Sequence, residues 1–127
     1  MRRAAAGASA ILLAATAAQA AVPAPVMVGG NEDIDACPSL AQVSGAKSGM
    51  VSVKAGPGAD HMEIDRLANG AFAYACDSKG EWTGVVYRKG EDTPDCQVGS
   101  PIAKRTRYRG TCKSGWVRSK WLTIVAG

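Results

Sequence analysis

The stretch Val51-Ser52-Val53-Lys54-Ala55-Gly56-Pro57-Gly58 decides the fold class of this chain. Val51 and Val53 alternate with Ser52 and Lys54, the period of a strand with one buried face. Gly56-Pro57-Gly58 stops that strand, because proline holds φ and glycine admits positive φ. Downstream, Ala71 to Cys76 reads as a second strand, with Phe72, Tyr74 and Cys76 on one face and alanines on the other. Asp77-Ser78-Lys79-Gly80 is a turn, and Glu81 to Tyr87 a third strand carrying Trp82, Val85, Val86 and Tyr87. A last strand, Leu122 to Val125, follows Ser119-Lys120-Trp121, which reads as a 3₁₀ step. No segment after residue 20 sustains a helical period, so the chain is all-β.

Two further signatures sharpen this. Ile64-x-x-Leu67-x-x-Gly70 follows the first loop, and Gly115-Trp116-Val117-Arg118-Ser119-Lys120-Trp121-Leu122 closes the sequence. Together with the opening strand and its Gly-Pro-Gly turn, they resemble a bacterial Src-homology-3 domain of the SH3b type. The resemblance implies a small SH3-like barrel of five or six antiparallel strands over residues 50–127. The fold hosts many binding tasks, and the resemblance implies a binding role, since some bacterial members attach cell-wall enzymes to peptidoglycan or bind envelope peptides. The chain departs from the pattern after Tyr87, where 27 residues, Arg88 to Ser114, separate it from Gly115. A loop that long inside a compact domain is usually functional unless it is disordered. Proline-rich recognition does not carry over, because there is no Ala-Leu-Tyr-Asp-Tyr run and the first loop, Ala59 to Asp65, holds no aromatic residue.

Residues 1–20 read as a signal peptide: Arg2 and Arg3, a short alanine-rich apolar stretch, then Ala18-Gln19-Ala20 as the cleavage site. The apolar stretch is shorter than the roughly 20 strongly apolar residues that a membrane span needs. The chain is therefore expected to be periplasmic or secreted, with no stable membrane insertion after cleavage. Residues 21–49 read as an N-terminal extension or tether, begun by Pro23, Pro25 and the Gly29-Gly30 pair.

All four cysteines, Cys37, Cys76, Cys96 and Cys112, follow the leader, and none has a C-x-x-C spacing. In a small exported domain that pattern reads as two disulfides. In a meander the strands carrying Cys76 and Cys112 lie about 10 Å apart, which is too far for a bond. Cys96–Cys112 then closes the insertion and Cys37–Cys76 staples the extension to the sheet. Cys37–Cys112 with Cys76–Cys96 remains the alternative.

The formal charge of +4 falls to +2 once Arg2 and Arg3 leave, but the balance is uneven. Residues 21–97 carry a net −5, whereas residues 98–127 carry seven cations and no acid. An exported chain has little occasion to meet nucleic acid, so anionic envelope polymers or proteins are the expected partners. His61 is the single histidine, in Asp60-His61-Met62-Glu63-Ile64-Asp65, and without a second imidazole it reads as a loop side chain rather than a metal ligand. With every cysteine assigned to a disulfide no thiolate nucleophile remains, and no catalytic set or cofactor site is read from the chain. The expected contact surface combines Trp82, Tyr87 and Trp121 with Arg105, Arg107 and Tyr108 of the insertion. Arginine beside an aromatic offers charge, forked hydrogen bonds and a stacking plane together. The expected function is non-catalytic recognition of a cell-wall component or envelope protein. A second reading is a structural or inhibitory protein that docks one envelope protein through residues 88–114.

Overall fold

The computed structural model describes residues 7, 9–11 and 21–127. The signal peptide read over residues 1–20 lies, apart from residues 7 and 9–11, outside the described residues. The chain is all-β and antiparallel: β1 (Met27–Val28), β2 (Ser39–Val43), β3 (Met50–Lys54), β4 (Glu63–Ala68), β5 (Phe72–Lys79), β6 (Trp82–Tyr87), β7 (Thr106–Arg107), β8 (Lys113–Arg118) and β9 (Leu122–Ala126). A 3₁₀ turn at Ser119–Trp121 leads into β9, where the sequence placed it.

Seven strands form one sheet in the order β4-β3-β8-β6-β5-β2-β9, while β1 and β7 pair as a separate ribbon. Six of these strands come from residues 50–127, as expected, and the seventh, β2, comes from the extension. The barrel is not closed by hydrogen bonds, since β4 and β9 stand at the two ends of the order. Part of the expected first loop is the strand β4, paired along β3 from Met50↔Ala68 to Lys54↔Glu63. The expected turn at Asp77–Gly80 begins later, because β5 runs on to Lys79.

Residues 21–49 are more than a tether. They contribute β2, which pairs with β5 from Ser39↔Ala75 to Gln42↔Phe72 and also holds β9. Ser39-Leu40-Ala41-Gln42-Val43 alternates only weakly in polarity, so its strand character depends on two neighbours supplied from far along the chain.

Burial explains the arrangement. β6 reads Trp-Thr-Gly-Val-Val-Tyr and is buried on both faces, so a clean period of two is lost there. Val85 and Tyr87 face an inner layer with Val43, Val51, Val53, Leu67, Ala73 and Val117. Trp82 and Val86 face an outer layer with Val26, Val28, Ala36, Val98, Trp116 and the two disulfides. The outer layer is built by the extension and the insertion together. Gly30 N–H donates to Ile102 C=O at 2.9 Å, Ala36 N–H to Ser100 C=O at 3.0 Å, and Cys37 N–H to Val98 C=O at 3.2 Å. Gly84 makes room for that cover, since a Cβ there would stand 3.0 Å from Val26 Cγ1 and 2.8 Å from Asp77 Cβ.

Both disulfides join as expected, Cys37 to Cys76 and Cys96 to Cys112. Among the described residues no helix is long and apolar enough to cross a membrane.

Candidate functional site

The structure fixes the return arm of the insertion, Lys104 to Arg109, at three levels. Its backbone pairs with the extension at Met27↔Arg107 and Val28↔Thr106, and Tyr108 N–H donates to Val26 C=O at 2.9 Å. Its Tyr108 hydroxyl donates to Cys96 C=O at 2.9 Å and accepts Cys112 N–H at 3.0 Å, bracing the disulfide that closes the loop. The approach is tight at Gly29, where φ is +77° and a Cβ would meet Ile102 C=O at 2.7 Å, so a side chain would be both strained and blocked.

The third anchor is Asp77. Its side chain is only 3% exposed, yet it is fully satisfied: Arg105 Nη2 and Ser78 N–H donate to Oδ1 at 2.7 and 2.8 Å, and Met27 N–H donates to Oδ2 at 3.0 Å. One carboxylate thus ties β5 to both the extension and the insertion. In the sequence Asp77 reads only as the start of a turn, and its one signal there is an acid next to a strand cysteine.

With Arg105 engaged, the arm still presents Lys104, Arg107 and Arg109. All three are exposed, and none has a carboxylate within salt-bridge distance among the described residues. The arm is a braced segment around β7 that carries uncompensated positive charge.

The six expected contact residues do not form one surface. Arg105, Arg107 and Tyr108 share the arm. Trp82 is buried in the outer layer at 9% exposure, with the Arg118 guanidinium 4.8 Å above its ring. Tyr87 is 1% exposed and faces the inner layer, because five positions along one strand reverse the side-chain direction. Trp121 is half-buried against the inner layer beneath the Lys120 ammonium, and rims a groove with Gly45, Lys47 and Ser48.

Tyr87 instead belongs to a second charged cluster. Its hydroxyl donates to Asp65 Oδ2 at 2.7 Å, Lys89 pairs with Oδ1, and Lys113 Nζ lies 3.6 Å from Oδ2. Burial pushes the Asp65 carboxyl up, but the Lys89 and Tyr87 hydrogen bonds and the Arg66 N–H outweigh it and hold its pKa at about 2. The Tyr87 hydroxyl is pushed well above the usual phenol range by burial and by the carboxylate beside it.

A cleft of about 360 Å³ lies nearby, floored by Met50, Leu67, Ala71 and Phe72 and rimmed by Arg66, Arg88 and Lys89. Those three cations are already paired, to Glu63, Glu91 and Asp65. His61 is half-buried with its ring against the Gly56 backbone, and its Nδ1 has no hydrogen-bond partner among the described residues. Among the described residues no three His, Cys, Asp or Glu side chains group as a metal would require.

Comparison with protein-family models, curated proteins and solved structures finds no match.

Proposed function

We propose that this protein is a non-catalytic binding module of the bacterial envelope that holds an anionic cell-wall component or envelope protein along the Lys104–Arg109 arm. The observation that carries this reading is the pairing of rigidity with free charge. Arg107 stands on the two-residue strand β7, and Lys104 and Arg109 flank it on an arm braced by β1, a disulfide and a buried carboxylate. Side chains presented on a fixed backbone lose less entropy on binding than those of a mobile loop. Two disulfides fit an oxidising, non-cytoplasmic compartment. Export through residues 1–20, periplasmic or secreted, belongs to the same proposal. The closing order β8, 3₁₀ turn, β9 and the β3–β4 hairpin after Val51 support the Src-homology-3-like reading of the fold.

Binding of the mature protein to purified cell wall, and separately to envelope protein extract, tests this. The Arg107→Ala/Arg109→Ala double variant is expected to bind at least tenfold more weakly, about 1.4 kcal/mol, with its Tm unchanged. Binding should also fall as salt rises, since the arm is exposed. Undiminished binding by a folded double variant rejects the arm as the site.

A further inference from the structure

We propose that two copies of this chain associate through β9, each extending the other's sheet by antiparallel pairing about a two-fold axis. Among the described residues β9 ends the sheet and has β2 on one side only. Ser44 N–H donates to Trp121 C=O at 2.9 Å, and that bond sets the phase of the ladder. Trp121 and Thr123 turn their backbone groups toward β2, while Leu122 and Ile124 turn theirs to the open side. The Leu122 N–H is taken by Ser119 C=O. Leu122 C=O and both polar groups of Ile124 are therefore left on a bare edge.

The two ends of the sheet differ in how they are protected. β4 carries Glu63, Asp65 and Arg66, the charged side chains that discourage strand addition. β9, Leu-Thr-Ile-Val-Ala, has no charge and no proline, and neither has its neighbour β2, Ser-Leu-Ala-Gln-Val. Ile124 is 54% and Val125 46% exposed. A partner for such an edge is an uncharged extended strand, and β9 itself is one. Pairing with its own copy brings no like charges together, and a two-fold axis makes the contact self-complementary and closed.

The free groups select the register. Thr123 lies on the axis, and the Ile124 N–H of each copy donates to the Leu122 C=O of the other. This uses the regular stretch of β9 before the register shift between Leu40 and Ala41. It also sets each exposed Ile124 beside the Leu122 of the other copy, whose own side packs on the inner layer.

Sedimentation of the mature protein over a concentration series, with amide hydrogen exchange on the same samples, tests the proposal. A species of twice the chain mass is expected at high concentration, with the Ile124 amide slowing as it forms. Ile124→Lys is expected to return the protein to monomer. A monomer at every concentration, an Ile124 amide that exchanges equally fast in the dimer, or a folded Ile124→Lys variant that dimerises undiminished each overturns it. The exchange measurement decides on the unaltered chain even where the variant fails to fold.

Discussion

Arg105 and Arg107 lie two residues apart on one arm, yet their surroundings give them different tasks. Arg105 completes the hydrogen bonding of a nearly inaccessible carboxylate, whereas Arg107 is exposed with no acidic partner among the described residues. Arg105→Ala is expected to cost about 1–2 kcal/mol, because Asp77 keeps two N–H donors but loses its countercharge. Arg107→Ala should stay within about 0.5 kcal/mol of the native protein. Urea denaturation of the two single variants side by side measures the difference. Asp65 makes a prediction in pH. Its folded pKa of about 2 lies below the ordinary 3.8, so the ionised carboxylate stabilises the fold above pH 3.8. That contribution fades as pH falls toward 2. Asp65→Asn should flatten this acid limb while leaving the rest of the stability–pH curve in shape, as read from urea midpoints between pH 2 and 5.

At the scale of elements, two staples hold the outer layer and they are unequal. Cys37–Cys76 spans 39 residues and Cys96–Cys112 spans 16. Loop entropy alone assigns about 4 kcal/mol to the first and about 3 kcal/mol to the second. The first also joins β5 next to Asp77, at the register shift between Ala75 and Asp77. Replacing Cys37 and Cys76 together by Ser should therefore lower the denaturation midpoint more than the same change at Cys96 and Cys112. A larger loss from the Cys96/Cys112 pair would show that the insertion, rather than the extension, sets the order of this layer. β1 and β7 are two residues each and could not persist alone. Their pairing survives because disulfide, carboxylate and backbone contacts bring the two segments together.

For the whole molecule, the extension belongs to the folded unit. Trp116 is completely buried, and its indole N–H donates to Ala24 C=O at 2.9 Å. A chain beginning at residue 30 would lose that acceptor along with Val26 and Val28, both 2% exposed. Burying a valine is worth about 1.5–3 kcal/mol, so the truncation should cost several kcal/mol. Native-state tryptophan emission should shift to the red; an unshifted spectrum would mean that other residues refill the layer. Charge is also distributed at this scale. Arg105–Asp77 and Lys113–Asp65 join the basic final segment to the acidic remainder. The other cations of that segment have no salt-bridge partner among the described residues, which leaves the arm its field.

The sequence by itself determined the all-β class and the 3₁₀ step before the last strand, and it narrowed the four cysteines to two possible pairings, of which the structure forms Cys37–Cys76 with Cys96–Cys112. Alternation at Val51 and Val53 and the turn at Gly56-Pro57-Gly58 are local facts that hold in any fold containing them, whereas the choice between cysteine pairings follows from the order of the strands. Tertiary structure alone decided the rest. Ser39–Val43 becomes a strand only because β5 and β9 arrive on either side of it, and β6 is buried twice because the extension and the insertion cover its outer face. That cover removed Trp82 from the surface expected of it, and Asp65 drew the Tyr87 hydroxyl inward. Asp77 became an anchor through donors that are 28 and 50 residues distant. Local pattern records which side chains tend to lie in or out of a strand. Which strands become neighbours, and which charges find partners, depends on contacts between segments remote in the chain.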